Sequence, residues 1–267
     1  MTLPILQPTD LALAALLLLI NAGLSIVFRL GLARAMLVAA VRMVAQLLLI
    51  GLVLRTVFAL VSPAWTAAVA AVMLGFAGYE VMARQDRRFA GLWGYGIGAS
   101  TMTLAAVLVT ALALTTQIRA DPWYDPRFAI PLLGMILGNA MTGISLGIDT
   151  LTDTAVRERP AIDAQLALGQ RRLDAFRGVA RRALKSGLMP IINSMSAVGL
   201  VFLPGMMTGQ ILAGVDPVEA VKYQLLIMFL IAGATGSGVL MAVFLGLARL
   251  TDGRHRLRLD RLRPARR

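Results

Sequence analysis

The sequence predicts an all-α, polytopic integral membrane protein with seven transmembrane helices, its N-terminus outside and its C-terminus inside. Three observations carry that prediction. Apolar residues make up 58% of the 267 and the mean hydropathy is +0.77, beyond what soluble domains show. Seven runs approach or exceed the ~20 apolar residues a helix needs to cross a ~30 Å hydrocarbon core. Finally, Lys and Arg fall unevenly on alternate sides of those runs, 21 on one side and four on the other, with Arg42 inside a run. Basic loops stay in the cytoplasm, which fixes the expected orientation.

The first run, 11–28, follows a segment, 1–10, without Lys or Arg, and no small-residue cleavage site follows it. It therefore reads as a retained span and not as a removable leader. The second, 35–54, contains Arg42, and the third, 64–82, contains Glu80. At ~1.5 Å per residue these lie about 12 and 6 Å beyond the flanking Arg34 and Arg84. A lone charge at a helix centre costs about 2.5–3.5 kcal/mol on insertion scales, so an Arg42–Glu80 ion pair in the bundle interior is expected, with a gating role as the alternative. The fourth run spans 95–116. The connection after it, QIRADPWYDPR at 117–127, brings Trp123 and Tyr124 to the headgroup level.

The fifth run, 128–148, carries Asn139 within GNAMTGISLG. The sixth, 188–212, carries Asn193, Pro204 and Gln210. A proline inside a span frees backbone carbonyls, which only protein or a wet cavity satisfies, so these two spans are expected to face a pathway. Its candidate residues are Asn139, Met141, Thr142, Asn193, Met195, Pro204, Met206, Met207, Thr208 and Gln210. For the asparagines the alternative is hydrogen bonding between helices. For the methionines it is adaptable core packing.

Between these spans lies the one sizeable non-membrane segment, 150–187. Ile162, Leu166, Leu173, Phe176, Val179 and Leu184 recur there at helical spacing among arginines, as in an amphipathic helix on the inner leaflet or a docking surface for a cytoplasmic partner. The seventh run is 220–248, followed by a basic tail, 249–267, suited to anionic lipid. No nucleic-acid fold or aromatic interleaving accompanies that tail, so nucleic acid is not an expected partner. Gly94 and Gly98, Gly134 and Gly138, Gly143 and Gly147, and Gly205 and Gly209 are small residues four apart, which lets helices approach closely in lipid.

Composition also excludes chemistry. There is no cysteine, and the single histidine, His255, lies in the tail, which removes thiolate sites, histidine triads and HExxH zinc sites. Neither lysine, Lys185 or Lys222, follows a phosphate-binding glycine loop, so energy must come from a gradient or from another subunit.

The strings IPLLGMILGNAMTGISLGID (130–149), DAQLALG (163–169), PIINSMSAVGLVFLPGMMTGQILAGVDP (190–217) and RMVAQLLLIGLVL (42–54) together resemble the Fet-type iron-export permeases of bacterial ABC transporters, with plant aluminium-sensitivity membrane proteins as relatives. The resemblance implies a single transmembrane permease domain over 1–267, in the cell (inner) membrane. It implies export of metal, iron or a metal complex, by a homodimer joined to separate ATP-binding subunits. ATP and Mg belong to that partner, with no cofactor and no catalysis in this chain. Bacterial permeases dock a cytoplasmic Glu-Ala-Ala-x-x-x-Gly segment into the ATPase, and Asp163, Ala164 and Gly169 match that spacing. Asp163 stands for the glutamate, Gln165 for the second alanine, and no Leu-Pro follows at the usual distance. The pathway residues leave the metal ligands open, since amides, hydroxyls and thioethers suit different ions. A seven-span receptor or sensor and a gradient-driven carrier are the alternative classes; few buried carboxylates and no inverted repeat weigh against the carrier.

Overall fold

Proline and aspartate set the helix starts. Asp125 and Asp216 accept hydrogen bonds from the backbone N–H groups of Arg127 and of Val218 and Glu219, and Pro126 and Pro217 occupy the first turn, where no N–H is needed. The computed structural model describes residues 7–264, with ten α-helices and, among these residues, no β-strand. Among the described residues, six helices are long and apolar enough to cross a membrane. The chain divides into two compact units, Met1–Leu60 and Val61–Arg267.

The first unit is a helical hairpin. Helix α1 (Pro8–Val27) and α2 (Ala33–Leu60) join through a turn in which Gly31 takes φ +72°, a left-handed conformation that glycine adopts at little cost. Ser25 Oγ accepts the Leu32 N–H at 3.0 Å across that turn.

In the second unit α5 (Pro126–Arg157) is central, packed by α3 (Pro63–Ala83), α4 (Trp93–Leu112), α8 (Arg177–Ala197) and α10 (Pro217–Leu250). One face of α5, comprising Ile136, Ala140, Ile144, Ile148 and Leu151, is fully buried against Met102, Ala106, Ala234, Val239, Ala242 and Val243. At ~1.5 Å per residue, α5 and α10 run about 48 and 51 Å, well beyond a ~30 Å hydrocarbon layer. Both therefore project from it.

Two expectations are corrected here. The sixth run is not one helix. Helix α8 ends at Ala197, Val198 is extended, Gly199 takes φ +86°, and a second helix, α9 (Gly205–Leu212), starts after Pro204. Hydropathy registers the apolar LVFLP of 200–204 but not the left-handed glycine and the proline that break the helix. Pro204 consequently caps α9 and does not kink a continuous span.

The segment 150–187 is not a single helix on a lipid surface. It comprises the end of α5, α6 (Arg159–Ala167), α7 (Arg172–Ala175) and the start of α8. Ile162, Phe176, Val179 and Ala183, at 2%, 0%, 1% and 0% exposure, join the protein core. Of the expected face, Ile162, Phe176 and Val179 are covered by protein and Leu166 and Leu184 partly so, whereas Leu173 is 55% exposed.

The tail is folded back on the second unit. Arg261 Nη1 donates to the carbonyls of Arg249 and Thr251 at 2.8 and 3.3 Å, which answers acceptors left open at the C-terminus of α10. Ala90 donates to the Arg261 carbonyl and Arg263 to the Arg88 carbonyl, both at 2.8 Å. Residues 265–267 of the expected tail and 1–6 of the N-terminal segment lie outside the described residues.

Candidate functional site

Glycine determines where the polar candidates come to lie. A Cβ at Gly143 would stand 2.8 Å from the Gly187 carbonyl oxygen, and one at Gly187 would stand 2.7 Å from that of Gly143. Only two glycines permit α5 and α8 to cross so closely. Gly147 faces the Ala183 carbonyl one turn further on, so the helices run antiparallel. Counting back along that register brings Asn139 level with the turn 191–193, which includes Asn193. Both asparagines are exposed on this unit. Asn139 Nδ2 donates to the Met135 carbonyl of its own helix at 2.9 Å, and Thr142 Oγ1 to Gly138 at 3.1 Å. Asn139 thus satisfies its donor without bridging to a neighbouring helix.

Beyond Asn193 the chain turns around a cavity of about 300 Å³ bounded by the end of α8, the 198–199 break, α9 and α10. Met195, Met207 and Met228 line it, each from a different helix, with Gln224 and Phe229. Gln224 is 8% exposed. Of the ten expected pathway residues, only Met195 and Met207 meet here. Met206 is exposed outside the cavity, Thr208 Oγ1 donates to the Pro204 carbonyl at 3.1 Å, and Gln210 is half-buried on α9. Met141 packs at the edge of the core, its carbonyl accepting Ser145 Oγ at 2.7 Å. Sequence reasoning missed Met228 and Gln224. Their spacing, four apart on one face of α10, was the available signal.

The opposite end of this unit is polar and basic. Asp149 Oδ1 accepts the Asp86 N–H at 2.9 Å, Arg87 approaches Asp153 at 3.9 Å, and Arg182 pairs with Glu158 at 2.5 Å. Trp93 lies under the Arg249 guanidinium at 4.7 Å. Helix α6 hangs from this end by buried Ile162, while Asp163 and Ala164 are exposed. Asp163 pairs with Arg159 at 3.3 Å. Gly169, at φ +85°, ends the segment, and the neighbouring Leu168 is 84% exposed.

In the tail, Arg258 holds Asp260 by two bonds of 2.9 and 2.8 Å, which pulls that carboxyl down to about 2. Backbone N–H donation from Arg256, aided by its side chain and by Arg254, likewise lowers Asp252. Arg42 lies in the first unit and Glu80 in the second, where Glu80 also approaches Arg84 at 3.9 Å. Among the described residues no cluster of three His, Cys, Asp or Glu side chains is arranged to hold a metal.

The model of an uncharacterised protein family, UPF0014, matches residues 8–251. A UPF0014 membrane protein of Synechocystis is 40% identical over 194 residues, 71% of this chain and 73% of the relative. The probable iron export permease protein FetB of Escherichia coli is 30% identical over 254 residues, 95% of this chain and 96% of its own length. The protein ALUMINUM SENSITIVE 3 of Arabidopsis thaliana is 31% identical over 234 residues, 88% of this chain and 84% of its own. No solved structure matches.

Proposed function

The chain belongs to the UPF0014 family of multi-pass membrane proteins, and from that premise we propose that it is the membrane-spanning subunit of an ABC transporter that exports metal. Similarity over almost its full length to a probable iron export permease carries the reading. Iron or an iron complex is the proposed cargo. The basic end is then cytoplasmic, a reading that the distribution of Lys and Arg supports. Helix α6 supplies the coupling element: Ile162 fixes it to the core, and Asp163, Ala164 and Gly169 enter a cleft of a separate ATP-binding subunit that holds ATP and Mg. The exposed asparagine face of α5 and α8 forms half of a pathway that a second copy completes.

The test begins with purification from native membrane in mild detergent. An ATP-binding subunit is expected to accompany the chain in equal amount, with hydrolysis stimulated by iron. Asp163→Arg is expected to leave the chain folded and to lower metal-stimulated hydrolysis on the order of tenfold, within the usual range of coupling energies. A chain that emerges alone, under conditions that preserve other such complexes, points instead to a sensor or a gradient-driven carrier.

A further inference from the structure

We propose that the cavity between α8, α9 and α10 is a thioether site for a soft monovalent cation, Cu(I) or Ag(I). The inference goes beyond transport, since it needs neither a partner subunit nor turnover. It starts from convergence. Met195 comes from the last turns of α8, Met207 from α9 and Met228 from α10, so no single-helix periodicity places them together. Methionine in a core fills the space its neighbours leave. Here three border a space of about 300 Å³, far larger than the ~30 Å³ share of one water.

Gln224 is the second observation. It is more than nine-tenths buried and lines the same cavity, yet among the described residues its side chain has no hydrogen-bond partner. Its amide nitrogen and oxygen are accessible from the cavity and not sealed within protein, so they are free to engage a guest there. The chemistry of the donors then selects the guest. Soft thioethers prefer Cu(I) and its congener Ag(I), whereas hard cations require carboxylate or several oxygens. The lining contains no carboxylate, histidine, lysine or arginine. A singly charged soft ion, held by three sulfurs with the Gln224 carbonyl oxygen close by, suits these walls best. Phe229 and Leu225 complete its apolar side.

The full chain, purified in detergent without thiols or chloride, is titrated with silver nitrate and, separately, with Cu(I) buffered by a competing chelator. One ion per chain is expected in the site, with a sulfur-dominated shell by X-ray absorption. Replacing Met195, Met207 and Met228 together by Leu, a volume-conserving change that cores tolerate, is expected to abolish that site. Replacing Met36, Met43 and Met73 by Leu removes as many thioethers and is expected to leave it intact. Each single cavity substitution weakens binding about tenfold, equivalent to about 1.4 kcal/mol; these singles decide the question if the triple variant folds poorly. Equal uptake by wild type and the cavity variants overturns the proposal. So does a wild-type chain that takes up neither ion, including one whose cavity retains a co-purifying lipid.

Discussion

The Gly143/Gly147 pair and the Gly205/Gly209 pair are indistinguishable as motifs, each two glycines four apart in an apolar stretch, yet they occupy opposite physical situations. At the first, added methyl groups would meet the Gly187 carbonyl, Thr235, Val239 and Val243; at the second, nothing lies within 4 Å. The first pair forms a seam where α5, α8 and α10 touch backbone to side chain. The second lies on a short helix after a chain break, beside a cavity. Helix packing without a hydrophobic drive depends on close fit, so the seam is where the second unit is rigid. The α9 region is where space remains for something else.

Gly187→Ala breaks the comparison most directly. Its methyl group would lie 2.7 Å from both the Gly143 carbonyl and Val239, and neither backbone nor a β-branched neighbour yields readily. A loss of about 1–3 kcal/mol is expected, read as a lowered Tm in detergent and a smaller folded fraction on size-exclusion chromatography. The double change Gly205→Ala with Gly209→Ala is the matched contrast. It adds two methyl groups in open space, and its expected effect on stability is within about 0.5 kcal/mol. If both variants lost stability equally, the distinction between seam and open helix would fail.

How much of this was legible in the sequence depended on what each signal measures. Hydropathy placed six helices within a few residues of their cores, because lipid demands long apolar runs. The same measure joined α8 to α9, because Leu200, Val201 and Leu203 are apolar although they are exposed in a break. Periodicity identified Ile162, Phe176 and Val179 as one face, but it does not report whether lipid or protein covers that face. The folded-back tail left no mark at all. It is held by isolated bridges and by Arg261 on the α10 carbonyls, contacts between distant segments without a repeating pattern. Of the cavity, Met195 and Met207 were visible through the polar richness of their stretch. Met228 and Gln224 lie in a long apolar helix, where their spacing of four is the one signal and a methionine alone reads as packing.

The tail offers a finer division, asking where the rigid seam ends. Asp260 has its carboxyl held down at about 2 by Arg258, against about 3.9 in an unfolded chain. A lowered folded-state value means that the contribution is complete above the unfolded value and disappears as pH falls through the folded one. Docking of the tail is therefore expected to loosen between about pH 4 and pH 2, with Asp252, also lowered, acting in the same direction. Amide hydrogen exchange, corrected for intrinsic rates, is the measurement: protection at 84–92 and 251–262 falls over that window while α5 around Ile144 keeps its own. Asp260→Asn removes part of the dependence at its source, since an amide neither titrates nor carries the charge that Arg258 holds. If protection fell together in tail and seam, the bundle and its strap would form one cooperative unit, and the rigid region would extend to the end of the described chain.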